Sequence, residues 1–173
     1  LPDDEDIHMA IERRLTEIVL DWLPGYQGIG PVRVGKAAHG QFQLDVYGEV
    51  MDVLRLARGH HLKSTPDGWR VQQALVRYVE EMWPQPDEGI WEMRGGRRHF
   101  THSKVMAWVA LDRAIKDIEE FRLPGPLERW KAVRDAIHQD VCRHGFDAEL
   151  GSFVQSYGSK AVVASLLKLP GGG

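Results

Sequence analysis

Residues 101–121, THSKVMAWVALDRAIKDIEEF, indicate the fold more clearly than any other stretch of this chain. Apolar side chains recur in it every three or four positions, which is the spacing of one face of an α-helix. The apolar residues at this spacing are Val105, Trp108, Val109, Ile115 and Ile118. Pro124 follows shortly after the stretch, where a helix is expected to have ended. The pattern therefore predicts a long helix that packs one face into a core.

Three further helices are predicted on either side of this one. They span residues 40–58, 66–82 and 126–143. The pair Thr65-Pro66 favours a helix start, with Thr65 as the N-cap and proline in the first helical position. Gly145 is well placed to end the last helix. Long helices separated by short loops are typical of antiparallel helix pairs.

The helix predicted at 40–58 carries two apolar stripes rather than one. The first stripe contains Phe42, Val46, Val50, Val53 and Ala57, and the second contains Leu44, Tyr47, Met51 and Leu54. A helix that is apolar on two sides is expected to be covered on both of them. The pattern therefore predicts an inner helix of a layered bundle.

The remaining segments are predicted to be extended or looped. Residues 1–36 show little helical pattern and contain one short predicted strand near residues 15–20, and residues 146–157 are predicted to be a hairpin or an extended loop. The exception is a last short helix predicted at residues 160–167, with Ser159 as its cap. We therefore predict an all-α fold of antiparallel helix pairs in one domain. Residues 1–36 form its extended lead-in and residues 37–173 form its helical part.

Composition excludes several classes of protein. The formal net charge is −3 and the basic residues are scattered, which argues against binding to nucleic acid. No apolar run approaches the length of a membrane span, so no membrane association is predicted. The single cysteine, Cys142, excludes an intramolecular disulfide framework. It is compatible with a reducing compartment, and we expect a cytoplasmic protein.

The segment DEGIWEMRGG, residues 87–96, contains the candidate chemistry. Trp91 offers an aromatic face to a sugar ring, and Glu92 offers a carboxyl group to a glycosidic oxygen. A general acid needs a raised pKa, which burial beside Trp91 and the nearby carboxylates of Asp87 and Glu88 would favour. The alternative is a solvated loop glutamate beside a tryptophan that serves only packing.

Other polar residues near this segment have two readings each. His99 and His102 have the spacing of metal ligands, but Arg97, Arg98 and Lys104 crowd them with positive charge, and we predict no metal and no cofactor. Capping or hydrogen bonding to a sugar suits the histidines better. At the start of the first helix, Gln41, Gln43 and Asp45 can bind hydroxyl groups or cap the helix.

Several of these segments together resemble the bacterial members of glycoside hydrolase family 15, the glucoamylase and trehalase family. The matching segments include residues 12–15, 22–26, 31–35, 41–52, 87–92, 99–114, 145–147 and 153–159. They cover nearly the whole chain.

The resemblance implies a fold and a mechanism. The family's catalytic domain is an (α/α)6 toroid, and its members invert the configuration of the sugar that they release. The resemblance implies that Glu92 is the general acid and that a second glutamate, which this chain does not contain, is the general base. It implies substrate contacts by Trp91 and Arg94, with His99, Lys104, Gln43 and Asp45 as further candidates. The chain is then expected to be a central fragment of the toroid.

The resulting expectation is a fragment of an inverting α-glucoside hydrolase that carries the general acid without the base. The expected ligand is a carbohydrate, either trehalose or an α-glucan oligosaccharide, between which the sequence does not choose. The alternative is a non-catalytic helical scaffold or interaction module. Because the first helix is apolar on two sides, the isolated chain is expected to associate with itself or with the rest of its domain.

Overall fold

The computed structural model of the chain describes residues 18–19, 22, 33–34, 42–60, 65–90 and 96–162. Its internal contacts divide the chain into two units, Leu1–Gln41 and Phe42–Gly173. In the first unit, strand β1 (Ile18–Val19) pairs antiparallel with strand β2 (Arg33–Val34). The short strand predicted near residues 15–20 is therefore confirmed.

The second unit contains four helices and a hairpin. The helices are α1 (Asp45–Gly59), α2 (Pro66–Met82), α3 (Thr101–Phe121) and α4 (Leu127–His144). Strands β3 (Phe146–Asp147) and β4 (Ser152–Phe153) form the hairpin predicted after the last helix. The all-α class is confirmed, and the predicted ends of α2 and α3 agree with those observed. The complete toroid stays a prediction.

Helix α2 begins as its sequence predicts. Thr65 is the N-cap, and its Oγ1 accepts a hydrogen bond from the Gly68 amide at 3.0 Å. Pro66 occupies the first helical position, where its missing N–H costs nothing. Helix α1, by contrast, begins at Asp45 and not at residue 40 as predicted. Residues 42–44 make their hydrogen bonds with a distant segment instead of with the next helical turn.

Helices α1 and α3 run parallel to each other. Near their starts, Gly48 approaches Met106. Further along both helices, Arg113 Nε lies 2.6 Å from Asp52 Oδ1, and near their ends Arg58 pairs with Asp117. The starts of α1 and α3 therefore lie at one end of the unit and their ends at the other.

Helices α2 and α4 run back between these two ends. The guanidinium of Arg58, at the end of α1, lies over the ring of Trp69, at the start of α2. Lys131, near the start of α4, lies 2.7 Å from Glu119, near the end of α3. Each consecutive pair is therefore antiparallel, as the alternation of long helices and short loops predicts.

The core is built around α3, which is buried on most of its circumference. The buried apolar residues of α3 are Met106, Ala107, Val109, Ala110, Leu111, Ala114 and Ile115. Alanines at three of these positions let neighbouring helices approach closely. Met51 of α1 and Leu44, just before the helix, are fully buried against this core. Val53 of the first predicted stripe is 62% exposed, and the neighbouring Leu56 is 63% exposed. Among the described residues, the second predicted stripe is thus buried, whereas Val46, Val50 and Val53 of the first stripe form, together with Leu56, an exposed apolar stripe on α1.

In the described ranges, no helix is both long enough and apolar enough to cross a membrane.

Candidate active site

The seven residues predicted to form the site divide into two groups in the structure. Trp91, Glu92 and Arg94 lie outside the described residues. Gln43, Asp45, His99 and Lys104 are described, and all four lie near the starts of α1 and α3. The parallel packing of these two helices brings together residues that are more than 50 positions apart in the sequence.

The segment that contains Trp91-Glu92 is closed at its base by main-chain pairing. The Asp87 amide donates to the Arg98 carbonyl at 3.0 Å, and the Arg98 amide donates to the Asp87 carbonyl at 2.9 Å. The next pair of residues inside the segment, Glu88 and Arg97, also interact, since Arg97 Nε lies 2.9 Å from Glu88 Oε1. We refer to residues 87–98 as the closed segment.

The closed segment is bonded to the residues that lead into α1. The Phe42 amide donates to Glu88 Oε2 at 2.7 Å, and the Glu88 amide donates to the Phe42 carbonyl at 3.0 Å. The Leu44 amide donates to Asp87 Oδ2 at 3.1 Å, and Gln43 Nε2 donates to the Gly89 carbonyl at 3.2 Å. These bonds replace the helical conformation that the sequence predicted for residues 42–44.

Gly89 is required at its position in the closed segment. Its φ is +68°, a conformation that residues with a side chain rarely adopt. A Cβ added to Gly89 would lie 2.7 Å from Cδ2 of Phe100. The phenyl ring of Phe100 therefore packs directly on the main chain that leads to Trp91-Glu92.

Both carboxylate oxygens of Glu88 already accept hydrogen bonds. Oε1 accepts from Arg97 and Oε2 accepts from the Phe42 amide. The side chain is only 14% exposed. Both oxygens of Glu88 are therefore engaged in contacts within the chain, which favours a structural role for this side chain.

Asp45 is the first residue of α1 and is buried. Burial raises the pKa of its carboxyl group, the nearby charge of Asp87 adds to the rise, and His102 opposes it. Oδ1 of Asp45 has no hydrogen-bond partner among the described residues. An unsatisfied buried oxygen is costly, so Asp45 Oδ1 is a strong position for a donor from a ligand or a water molecule.

Asp87 is also fully buried, at the base of the closed segment. Burial raises the pKa of its carboxyl group, and hydrogen bonds from Ser103 and Leu44 and the charge of Lys104 oppose the rise. Its carboxylate therefore depends on donors from α1 and α3 together.

Lys104 is fully buried in the first turn of α3. Its Nζ donates to the Trp83 carbonyl and, at 2.6 Å, to the Gln85 carbonyl. Burial lowers the pKa of Lys104 to about 8. The side chain thereby ties the residues after α2 to the start of α3.

His99 lies at the edge of a cavity of about 260 Å³ that sequence reasoning did not anticipate. The His99 ring stacks on Tyr157, with 5.7 Å between ring centroids. Tyr157 donates to Asp140 at 2.8 Å, and His144 Nδ1 lies 3.0 Å from the other oxygen of Asp140. Burial lowers the pKa of His99, with the charge of Lys104 as the next cause.

A larger cavity of about 660 Å³ lies towards the opposite ends of α1 and α3. Its charged residues are held in ion pairs, such as Arg113 with Asp52 and Arg55 with Glu120 at 2.6 Å each. It contains none of the predicted site residues. No group of histidine, cysteine or acidic residues that is able to hold a metal ion occurs in the part of the chain that the structure describes.

Comparison with known families identifies the chain. Residues 8–172 match the family described as Glycosyl hydrolases family 15. The chain belongs to glycosyl hydrolase family 15. The family resemblance noted in the sequence is thus confirmed.

Several relatives of the chain within glycosyl hydrolase family 15 are trehalases. A trehalase of Mycobacterium tuberculosis is 41% identical to this chain over 156 residues, which are 90% of this chain and 23% of that protein. A trehalase of Thermoplasma volcanium is 37% identical over 162 residues, 90% of this chain and 25% of that protein. Trehalase 1 of Sulfolobus acidocaldarius is 39% identical over 160 residues, 89% of this chain and 26% of that protein.

The chain therefore spans about a quarter of the length of these glycosyl hydrolase family 15 relatives. No solved structure matches the chain.

Proposed function

We propose that this chain is the part of an inverting α-glucoside hydrolase that supplies the general acid, with trehalose as the substrate. Family membership and the trehalase names of its relatives support this proposal. The observation that carries it is the closed segment, because Trp91-Glu92 lies between ends that are paired to each other and bonded to the start of α1. Such a base would hold an acid in a fixed position relative to a bound sugar.

Glu92 is the proposed general acid, and Glu88 is the competing residue in the same segment. The hydrogen bonds of Glu88 to Arg97 and to the Phe42 amide occupy both of its oxygens, which favours Glu92 for proton delivery. In the proposed mechanism, Glu92 protonates the glycosidic oxygen as the bond to the leaving glucose breaks. A water molecule attacks the anomeric carbon from the opposite face.

The other site residues take different roles in this proposal. Trp91 forms the platform beneath a sugar ring, and Arg94 binds a sugar hydroxyl. Asp45, whose Oδ1 has no partner among the described residues, accepts a hydroxyl hydrogen bond. His99 directly follows the closed segment in the sequence, and Lys104 lies in the first turn of α3. Because Lys104 donates to two main-chain carbonyls, it is proposed to support the site and not to contact the sugar directly.

The general base is proposed to come from another part of the full-length enzyme. Inversion requires a second carboxylate about 6.5–9.5 Å from the acid, with the attacking water between them. The exposed apolar stripe of α1, which includes Val53 and Leu56, is proposed to pack against the remainder of the domain. A partner that covers the stripe and also supplies the base would complete the site.

The test compares Glu92→Gln with the parent enzyme, in the active protein that contains these residues. Glutamine keeps the shape of glutamate but cannot deliver a proton. We expect kcat on trehalose to fall by about 10²–10⁴-fold, with sugar binding retained. The loss is expected to shrink on α-glucosyl fluoride, because fluoride leaves with little help from an acid.

Trp91→Ala is the matched comparison for this experiment. It removes a binding surface and no proton, so it is expected to weaken trehalose binding and to slow both substrates similarly. If Glu92→Gln turned over trehalose at the parental rate, the assignment of the acid would be wrong. If the full-length protein released no glucose from any α-glucoside, the non-catalytic alternative would hold.

A further inference from the structure

We infer that Glu88 and Gln43 are positioning residues, which act on the reaction by fixing the closed segment and thereby Glu92. This inference rests on the proposed role of Glu92 as general acid. It concerns contacts in the described residues only, and it assigns Gln43 a different role from the sugar contact that the sequence suggested.

Glu88 connects the closed segment to the residues that precede α1. Its carboxylate bridges two parts of the chain that are far apart in sequence, the Phe42 amide and the Arg97 guanidinium. The guanidinium of Arg97 also lies 6.0 Å above the ring of Phe42. Glu88 is therefore the link that joins both ends of the closed segment to the residues preceding α1.

Gln43 holds the main chain of the closed segment one residue after Glu88. Its Nε2 donates to the Gly89 carbonyl, the main-chain group that follows Glu88 on the way to Trp91-Glu92. Gly89 is held from the other side by the Phe100 ring. The peptide leaving Gly89 is thus fixed between the start of α1 and the start of α3.

The position of the acid affects the rate of the reaction. An acid delivers its proton efficiently only when it lies within hydrogen-bond reach of the leaving oxygen. A displacement of about 1 Å at a reacting group costs up to about 10²-fold in rate. Loosening the base of the closed segment should therefore slow reactions that need the acid and spare reactions that do not.

The experiment measures kcat and KM for Glu88→Gln and Gln43→Ala in the active full-length enzyme, on trehalose and on α-glucosyl fluoride. For each variant we expect kcat on trehalose to fall about 10-fold, with KM within about twofold of the parent. On α-glucosyl fluoride we expect a fall of less than about twofold. A loss of stability alone would slow both substrates equally.

A double variant tests whether the effect passes through Glu92. In the Glu92→Gln background, adding Glu88→Gln should change the residual trehalose activity by less than about twofold, because coupled residues are not additive. If Glu88→Gln does not fold, Arg97→Ala replaces it in this test, because it removes the partner of Glu88 and changes a side chain that is half exposed. Arg77→Ala, on the exposed face of α2 and outside these contacts, is the control and should match the parent.

Three results would overturn the inference. The first is parental activity of both single variants on trehalose. The second is an equal loss of activity on trehalose and on α-glucosyl fluoride. The third is a larger loss for Glu88→Gln than for Glu92→Gln, which would make Glu88 the acid. Failure of the proposed function has a different signature. In that case Glu92→Gln itself would retain parental activity on trehalose, whatever the Glu88 and Gln43 variants did.

Discussion

The main chain of Gly48 in α1 lies directly against the main chain of Met106 in α3. A Cβ at position 48 would overlap the Met106 carbonyl oxygen and lie 2.8 Å from its carbonyl carbon. This contact sets the separation of the two parallel helices whose starts carry Asp45 and the closed segment. The spacing of the candidate site therefore depends on Gly48, which is not itself one of the predicted site residues.

Gly48→Ala is expected to destabilise the fold because the two helices must separate to admit the methyl group. Overpacking of this kind costs about 1–3 kcal/mol in free energy of unfolding. Denaturant unfolding measures it. Gly59→Ala is the matched control, since a Cβ at that last residue of α1 meets nothing within 4 Å among the described residues. Equal stability of the two variants would contradict the close approach.

Arg58→Met should destabilise the opposite end of the helix pair. Arg58 pairs with Asp117, which is fully buried, and donates to Gln72 at 3.0 Å. Removing one partner of a buried pair leaves an uncompensated charge, which costs about 3 kcal/mol or more. The remaining bond from Arg55 to Asp117, at 2.8 Å, should keep the cost at the low end of that range.

The control for Arg58→Met is Arg70→Met, which breaks an exposed ion pair with Asp67 on α2. Exposed pairs contribute about 0–1 kcal/mol, so this variant should unfold almost like the parent. If urea unfolding gave the same loss for both arginines, the Arg58–Asp117 contact would not be a buried pair in solution.

Lys104 should make stability rise with pH on the alkaline side. Its pKa is about 8 when folded and takes the ordinary lysine value of 10.5 when unfolded. Between these values the unfolded chain binds more protons, so the free energy of unfolding increases with pH, by at most about 1.4 kcal/mol per unit. Below pH 8 both states are protonated, and the full cost of burying the ammonium is present.

The measurement is urea unfolding of the parent and of Lys104→Met at several values from pH 7.5 to 10.5. Titrating groups that do not interact with Lys104 act on both proteins alike, so the difference between the two curves reports Lys104 and the two groups whose pKa depends on its charge, Asp87 and His99. When Lys104 loses its proton, the neutral amine still has two N–H groups, which are enough to donate to both the Trp83 and the Gln85 carbonyls. Parallel curves across the whole range would show that Lys104 keeps its ordinary pKa in the folded chain.

The isolated 173-residue chain is expected to associate through the exposed stripe of α1. Contiguous exposed apolar surface usually marks an interface. Val53→Lys combined with Leu56→Lys should shift the chain towards monomer in sedimentation velocity. Val71→Lys changes a valine of α2 that is similarly exposed, at 60%, and should leave association unchanged. A parent chain that sediments as a monomer at high concentration would refute this expectation.

The isolated chain is also expected to hydrolyse trehalose poorly or not at all. The proposed inversion requires a base across the sugar from Glu92, and the chain spans only about a quarter of its relatives. Glucose release from trehalose is the assay. Robust turnover that was abolished by Asp45→Asn or Glu49→Gln would identify a base within this chain and would contradict the expectation.

Local signals in the sequence were enough to predict the four helices, the bounds of α2 and α3, and the family. The apolar periodicity of residues 101–121 predicted α3, and Thr65-Pro66 predicted the start of α2, because these features depend on neighbours within one or two turns. Segments spread over nearly the whole chain, among them the Trp-Glu segment, together indicated glycosyl hydrolase family 15, which comparison confirmed.

The tertiary structure decided what the polar residues near the site do. The sequence extended α1 back to residue 40, offered Gln43 as a sugar contact, and gave Glu88 as a nearby carboxylate that would raise the pKa of Glu92. Folding pairs residues 42–44 with residues 87–89 instead, and those side chains satisfy main-chain groups there. Long-range hydrogen bonds of this kind depend on how two helices pack, and periodicity within either helix carries no information about them.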